Sequence, residues 1–223
     1  MCGGICNILN FPSELAFYIL SMLSPQDLLS LRHTSRLYDM VVDHPSLWRF
    51  ILLKNTSRPA RPWRQSNLRR YIGRNVEVIE HLIIHNVRDD SLRYIINHCA
   101  SLKTLHVYGW TTLSGHALNG RPLPNLDTLT LKCSGLAALD ASAIIALLKQ
   151  APALKELNVL CPTAVRSQSL ATNLSISTQL VKLRIYSTSR WHEDDLRKIF
   201  KRCTNLQQCN LMYYEANNMP SAQ

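Results

Sequence analysis

The chain of 223 residues is long enough for a small domain plus a medium one, and at 46% apolar it can build a sizeable core. No uninterrupted apolar run approaches the ~18–20 residues that span a bilayer, and the opening MCGGICNILN lacks the basic and apolar stretches of a secretory signal. A formal charge of +10 invites an acidic or nucleic-acid partner, yet the excess is local: Arg49, Lys54, Arg58, Arg61, Arg64, Arg69, Arg70 and Arg74 lie between His44 and Val76, where no Asp or Glu occurs. Aromatic side chains are not interleaved there as in a single-strand binder, so a solvated basic connector is expected. Seven cysteines, an odd number without framework spacing, fit a reducing compartment. Cys2 and Cys6 form a close pair, but no second pair follows at the spacing of a zinc site.

The first helix is predicted from Phe11-Pro12-Ser13-Glu14. Proline's missing N–H has no intrahelical partner in a first turn, and Glu14 meets the positive end of the helix dipole. Leu15, Ile19, Leu20 and Leu23 follow at i, i+4, i+5 and i+8 as an apolar stripe. Ser24-Pro25-Gln26-Asp27 opens a second helix, with Ser24 as cap and Asp27 three residues later in a capping box. Leu28, Leu29 and Leu31 supply its apolar side. A third starts after Ser35 with Leu37, Met40 and Val41; Asp43-His44-Pro45 breaks it, and Ser46-Leu47-Trp48 predicts a further helical start. Three such helices cannot cover this much apolar surface among themselves, since about 40 residues is near the lower limit for independent folding. A partner is expected to cover the remainder.

Phe11-Pro12-x-Glu14-Leu15, Ile19-Leu20-x-x-Leu23, Asp27-Leu28, Leu31, Ser35 and Leu47-Trp48 together resemble the F-box motif in order and spacing. Phe11 stands where Leu is usual and Tyr38 where Trp is common; both keep a large apolar body. The resemblance implies docking onto the small adaptor subunit of SCF-type ubiquitin ligases, and through it a cullin. By match to the motif, Pro12, Leu15, Ile19, Leu20, Leu23, Leu28 and Leu31 would touch that adaptor.

Beyond the connector, a helix is expected near Asn67–Ile72, and then one phrase, L-x-x-L-x-L with aliphatic substitutions, recurs six times. It starts at Ile79, Leu102, Leu126, Leu154, Leu180 and Leu206, giving periods of 23, 24, 28, 26 and 26. These lie within the ~20–29 residues of leucine-rich repeats, in which each repeat covers its neighbour's apolar face. Return helices are predicted over Ser91–Cys99, Ala141–Lys149 and Glu193–Arg202, while the polar stretch Thr163–Thr178 reads as a loop or poor helix. Cys99 and Cys203 each precede a phrase by three residues, as in the cysteine-containing repeats common in F-box proteins, which implies a packing role.

The expected architecture is an α/β solenoid. A flexible N-terminus (1–10) precedes an all-α F-box (11–53) and a basic connector with a first helix (54–75). Six leucine-rich repeats (76–212) follow, curved with a parallel sheet on the concave face, and then a C-terminal tail (213–223). Residues alternating with the inward aliphatics face the concave side. Among them His106, Tyr108, Leu160, Arg184 and Tyr186 are the candidate target-binding residues, Tyr and Arg being the side chains enriched in binding hot spots. His81, His85 and His106 fall close together but lack a carboxylate or thiolate to complete a metal site. No nucleophile turn or phosphate-cradling glycine loop occurs, so no catalytic residue, metal or cofactor is assigned.

The function these readings favour is a non-catalytic, cytoplasmic or nuclear substrate receptor of a ubiquitin ligase, binding an unidentified target protein and no membrane. An F-box scaffold acting in assembly without degradation is the alternative. A basic repeat protein binding nucleic acid ranks third.

Overall fold

The structure, a computed structural model, describes residues 8–55, 61–112, 114–133, 141–160, 171, 174, 179–187 and 190–213. Three helices open it: α1 (Ser13–Ser21), α2 (Pro25–Arg32) and α3 (Arg36–Val42). The capping box forms as expected. The Asp27 amide donates to the Ser24 hydroxyl at 3.2 Å, and the Ser24 amide donates back to the Asp27 carboxylate at 3.3 Å. Ser35 caps α3 by accepting from the Tyr38 amide at 3.3 Å.

The helical start expected at Ser46-Leu47-Trp48 is only a 3-10 turn over Pro45–Leu47, after which the chain extends into β1 (Phe50–Leu53). Trp48 is fully buried and donates its indole N–H to the Val42 carbonyl at 2.6 Å, fixing the end of α3 against the turn. The basic connector leads into α4 (Gln65–Ile72), which buries Leu68 and Ile72 and leaves Arg69 and Arg70 outside the core.

Six further strands follow: β2 (His81–His85), β3 (Thr104–Trp110), β4 (Thr128–Cys133), β5 (Glu156–Leu160), β6 (Lys182–Ser187) and β7 (Gln208–Tyr213). Return helices are α5 (Asp89–His98), α6 (Ala141–Gln150) and α7 (Glu193–Arg202). Among the described residues, the seven strands form one parallel sheet in chain order, β1 through β7. The sheet therefore has one strand more than the six phrases, because β1 adds to the edge of β2.

One device repeats at every crossing into the next strand. The Arg49 carbonyl accepts from the amides of Glu80 and His81, and the Glu80 carbonyl from Lys103 and Thr104. The carbonyls of Lys103, Asp127, Lys155 and Val181 do the same for Asp127/Thr128, Lys155/Glu156, Val181/Lys182 and Gln207/Gln208. A carbonyl has two lone pairs, so a single oxygen satisfies two amides, those of the first residue of each strand and of the residue before it. Arg49 belongs to this series although no phrase surrounds it.

The inward pairs Leu82/Ile84, Leu105/Val107, Leu129/Leu131, Leu157/Val159 and Leu183/Ile185 are buried almost completely, each side chain contributing about 1.5–3 kcal/mol of burial. Leu20, Leu28, Val42, Leu47 and Trp48 of the N-terminal segment join the same continuous core. Cys99 and Cys203 are buried at the C-terminal ends of α5 and α7. Most of Thr163–Thr178, the first seven residues and the tail beyond Tyr213 lie outside the described residues.

Candidate functional site

Two surfaces present side chains that folding leaves unused. The first is on the N-terminal helices. Phe11, Leu15, Tyr18 and Met22 stand exposed at i, i+4, i+7 and i+11, a stripe along the outer side of α1, with Leu15 at 42% and Met22 at 65% exposure. Leu37 and Met40 add a second exposed pair on α3, Met40 at 76%.

The adaptor-contact set expected from the motif divides on this geometry. Pro12 and Leu15 are exposed, and Ile19, Leu23 and Leu31 are half-buried. Leu20 and Leu28, at 0% and 2% exposure, are core residues, so their place in the motif reflects folding of the helices. Sequence reasoning missed Tyr18, Met22 and Met40 as surface groups. The signal that could have found them is a second apolar stripe offset from the first around the same helix.

The second surface is the exposed face of the sheet. Its register sets the expected residues in three rows. Phe50, His81, Thr104, Thr128, Glu156, Lys182 and Gln208 form one, and Leu52, Ile83, His106, Thr130, Asn158, Arg184 and Asn210 the next. His85, Tyr108, Lys132 and Leu160 make the third, and Tyr186 beside Met212 continues it on β6 and β7. All five candidate target-binding residues therefore share one face, in two adjacent rows. Phe50 and Leu52 join them unpredicted, because β1 was not read as a strand.

The β1–β3 end of this face is aromatic. The Phe50 and His81 rings lie 6.3 Å apart, His85 stacks on Tyr108 at 4.9 Å, and His106 faces Tyr108 at 6.3 Å. Loss of hydration holds the His85 and His106 imidazoles below their ordinary pKa, and the Lys54 charge adds to this at His85. Among the described residues His106 Nδ1, which is buried, has no hydrogen-bond partner, while His81 Nδ1 pairs with the Thr104 hydroxyl at 3.0 Å. No group of three His, Cys, Asp or Glu among the described residues could hold a metal ion.

The β5–β7 end is polar. A cleft of about 440 Å³ opens there among Glu156, Asn158, Lys182, Arg184, Gln208 and Asn210. Glu156 pairs with Lys182 at 3.7 Å and accepts from Asn158 at 3.0 Å.

The basic connector is less free than its charge suggests. Arg49 pairs with Glu80 at 3.7 Å, Arg69 lies over the Tyr94 ring at 5.8 Å, and Arg74 reaches both Asp39 and Asp43. The buried Arg32 pairs with the same two carboxylates, so α2, α3 and the end of α4 are joined by one ionic network.

These surfaces define a class: residues 8–54 match the family model for F-box-like domains, so the chain carries an F-box-like domain at its N-terminus. In an alignment 207 residues long that covers 86% of the chain, it is also 27% identical to F-box only protein 4 of Bos taurus. It spans about half the length of that relative, 50%. No described helix is long and apolar enough to cross a membrane.

Proposed function

We propose that the chain is the substrate-recognition subunit of an SCF-type ubiquitin ligase. Its F-box docks onto the small adaptor subunit, and through it onto a cullin. The sheet, read as a leucine-rich repeat array, holds a target protein on its exposed rows. The chain itself contributes proximity, raising the target's effective concentration near transfer machinery on other subunits, and no catalytic residue or cofactor is assigned to it. Cytoplasm and nucleus are the compartments where such a complex would act.

The observation carrying this reading is the exposed apolar stripe Phe11, Leu15, Tyr18 and Met22 within the segment that matches the F-box-like model. Covering about five large apolar side chains yields a gross gain of ~8–15 kcal/mol before association costs, ample for a specific complex. Exposed Leu15 and Met22, together with half-buried Ile19, Leu23 and Leu31, are the contacts proposed.

Co-expression with a cullin-ligase adaptor tests it. The double variant Leu15→Asp/Met22→Asp should lose the adaptor while keeping its fold, and adaptor that co-purifies unchanged would refute the docking. Retention of a protein on the wild-type chain when degradation is blocked, with loss on substituting Tyr108 and Arg184, tests target binding.

A further inference from the structure

We infer that the segment recognised on the sheet face is extended and acidic, with a bulky apolar residue about seven positions from its anionic group. This rests on the proposed target-binding role of the face and names the chemistry that role requires.

The middle row carries the argument. Leu52 on β1 is 47% exposed, and Phe50 beside it 61%, although an edge strand gains nothing from two bare apolar side chains. Moving along the row, Thr130 is nearly buried and accepts from Asn158 at 3.2 Å, so the centre satisfies itself. Further along, on β6, Arg184 is exposed and, among the described residues, forms no ion pair. Lys132, in the next row, is likewise exposed and unpaired among the described residues. Glu156 is the single carboxylate in the rows, and Lys182 and Asn158 already engage it. The three cations Lys132, Lys182 and Arg184 thus outnumber it, leaving the β4–β6 part of the face positive and complementary to an anion.

Spacing fixes the ligand's length. Leu52 and Arg184 are separated by the five steps from β1 to β6. At ~4.8 Å a step this is about 24 Å, which an extended chain covers in about seven residues. An aromatic or large aliphatic side chain would sit by Phe50, Leu52 and Ile83, and a carboxylate or phosphate by Arg184, over the polar cleft.

Fluorescence anisotropy with labelled synthetic peptides on the full chain tests this. The parent peptide carries Trp and a Glu pair seven residues apart on a Gly/Ser backbone, synthesised in both chain directions. Partner peptides place phosphoserine for Glu, Lys for Glu, or shorten the spacing to two. Wild-type protein should bind the parent about tenfold tighter than the Lys or short-spaced forms. Comparison of the Glu and phosphoserine peptides identifies the source of the anion.

Arg184→Glu should reverse the preference toward the Lys peptide, and Phe50→Ser/Leu52→Ser should weaken the parent about tenfold, both with unchanged thermal unfolding. A face that binds all peptides equally, or none, overturns the inference. Cellular cargo retained through Tyr108 and Arg184 would then leave the proposed function standing. Peptide selectivity without such cargo would instead support the chemistry and count against that function.

Discussion

Asn86 and Gly109 occupy left-handed backbone conformations side by side, at φ 57° and 68°, just past the last β2–β3 pair, His85 with Tyr108, Gly109 lying at the register shift within β3. The Asn86 amide donates to the Tyr108 carbonyl at 2.7 Å, and a Cβ on Gly109 would lie 2.7 Å from the Asn86 side-chain oxygen. Asparagine tolerates this region, whereas a side chain at Gly109 meets both an unfavourable φ and a close contact. Gly109→Ala is expected to destabilise the fold by about 1–3 kcal/mol. Denaturant unfolding measures it, and an unchanged midpoint would show that the turn relaxes freely.

Leu20 on α1 and Met22 just past its end are two residues apart but face opposite environments. Leu20→Ala should cost about 2–5 kcal/mol of stability, the usual penalty for a core truncation. Met22→Ala should change stability by no more than about 0.5 kcal/mol while weakening adaptor binding. Thermal melts paired with adaptor pull-downs separate the two. Equal effects on both readouts would contradict the division of the helix into inner and outer faces.

Burial pushes the Cys99 thiol up to about 12, from an ordinary 9.0. The folded protein therefore favours the neutral thiol more strongly than the unfolded chain does. This contribution is complete below about pH 9 and is lost as pH rises from there toward 12. Cys99→Ala should flatten that alkaline decline, at the cost of a small cavity. In native buffer at pH 8, iodoacetamide should label Cys99 only after unfolding, which mass spectrometry of quenched samples detects.

His85 and His106 titrate in the opposite sense. Their folded pKa values lie below the ordinary 6.5, mainly through loss of hydration. The folded state thus binds fewer protons, so stability is full above pH 6.5 and is lost as pH falls through the depressed values. Melting temperature should drop between pH 7 and pH 5, and the double variant His85→Gln/His106→Gln should reduce the drop. NMR titration of the ring protons checks the direction of each shift directly.

Much of this architecture could be read from residues alone because single side chains announce it. Ser24 and Asp27 cap α2 as their spacing requires, and alternation in the phrases placed His106, Tyr108, Leu160, Arg184 and Tyr186 on one face. β1 was hidden for a physical reason. Phe50-Ile51-Leu52-Leu53 is apolar at all four positions, so no alternation separates its buried from its exposed side, and it follows residues that read as helix. The inner and outer sides of α1 were blurred likewise. Apolar residues line both, and only packing against the rest of the core, which sequence spacing does not report, separates Leu20 from Leu15.

The Arg49 carbonyl, holding the amides of Glu80 and His81, makes the N-terminal helices run directly into the edge of the sheet with no intervening tether. On the proposed function, cargo seated on those strands would be carried at a fixed bearing from the ligase, like a part clamped in a jig. Which lysines of a target come within range would then depend on where they lie on its surface, and lengthening the basic segment would leave that geometry largely unaltered.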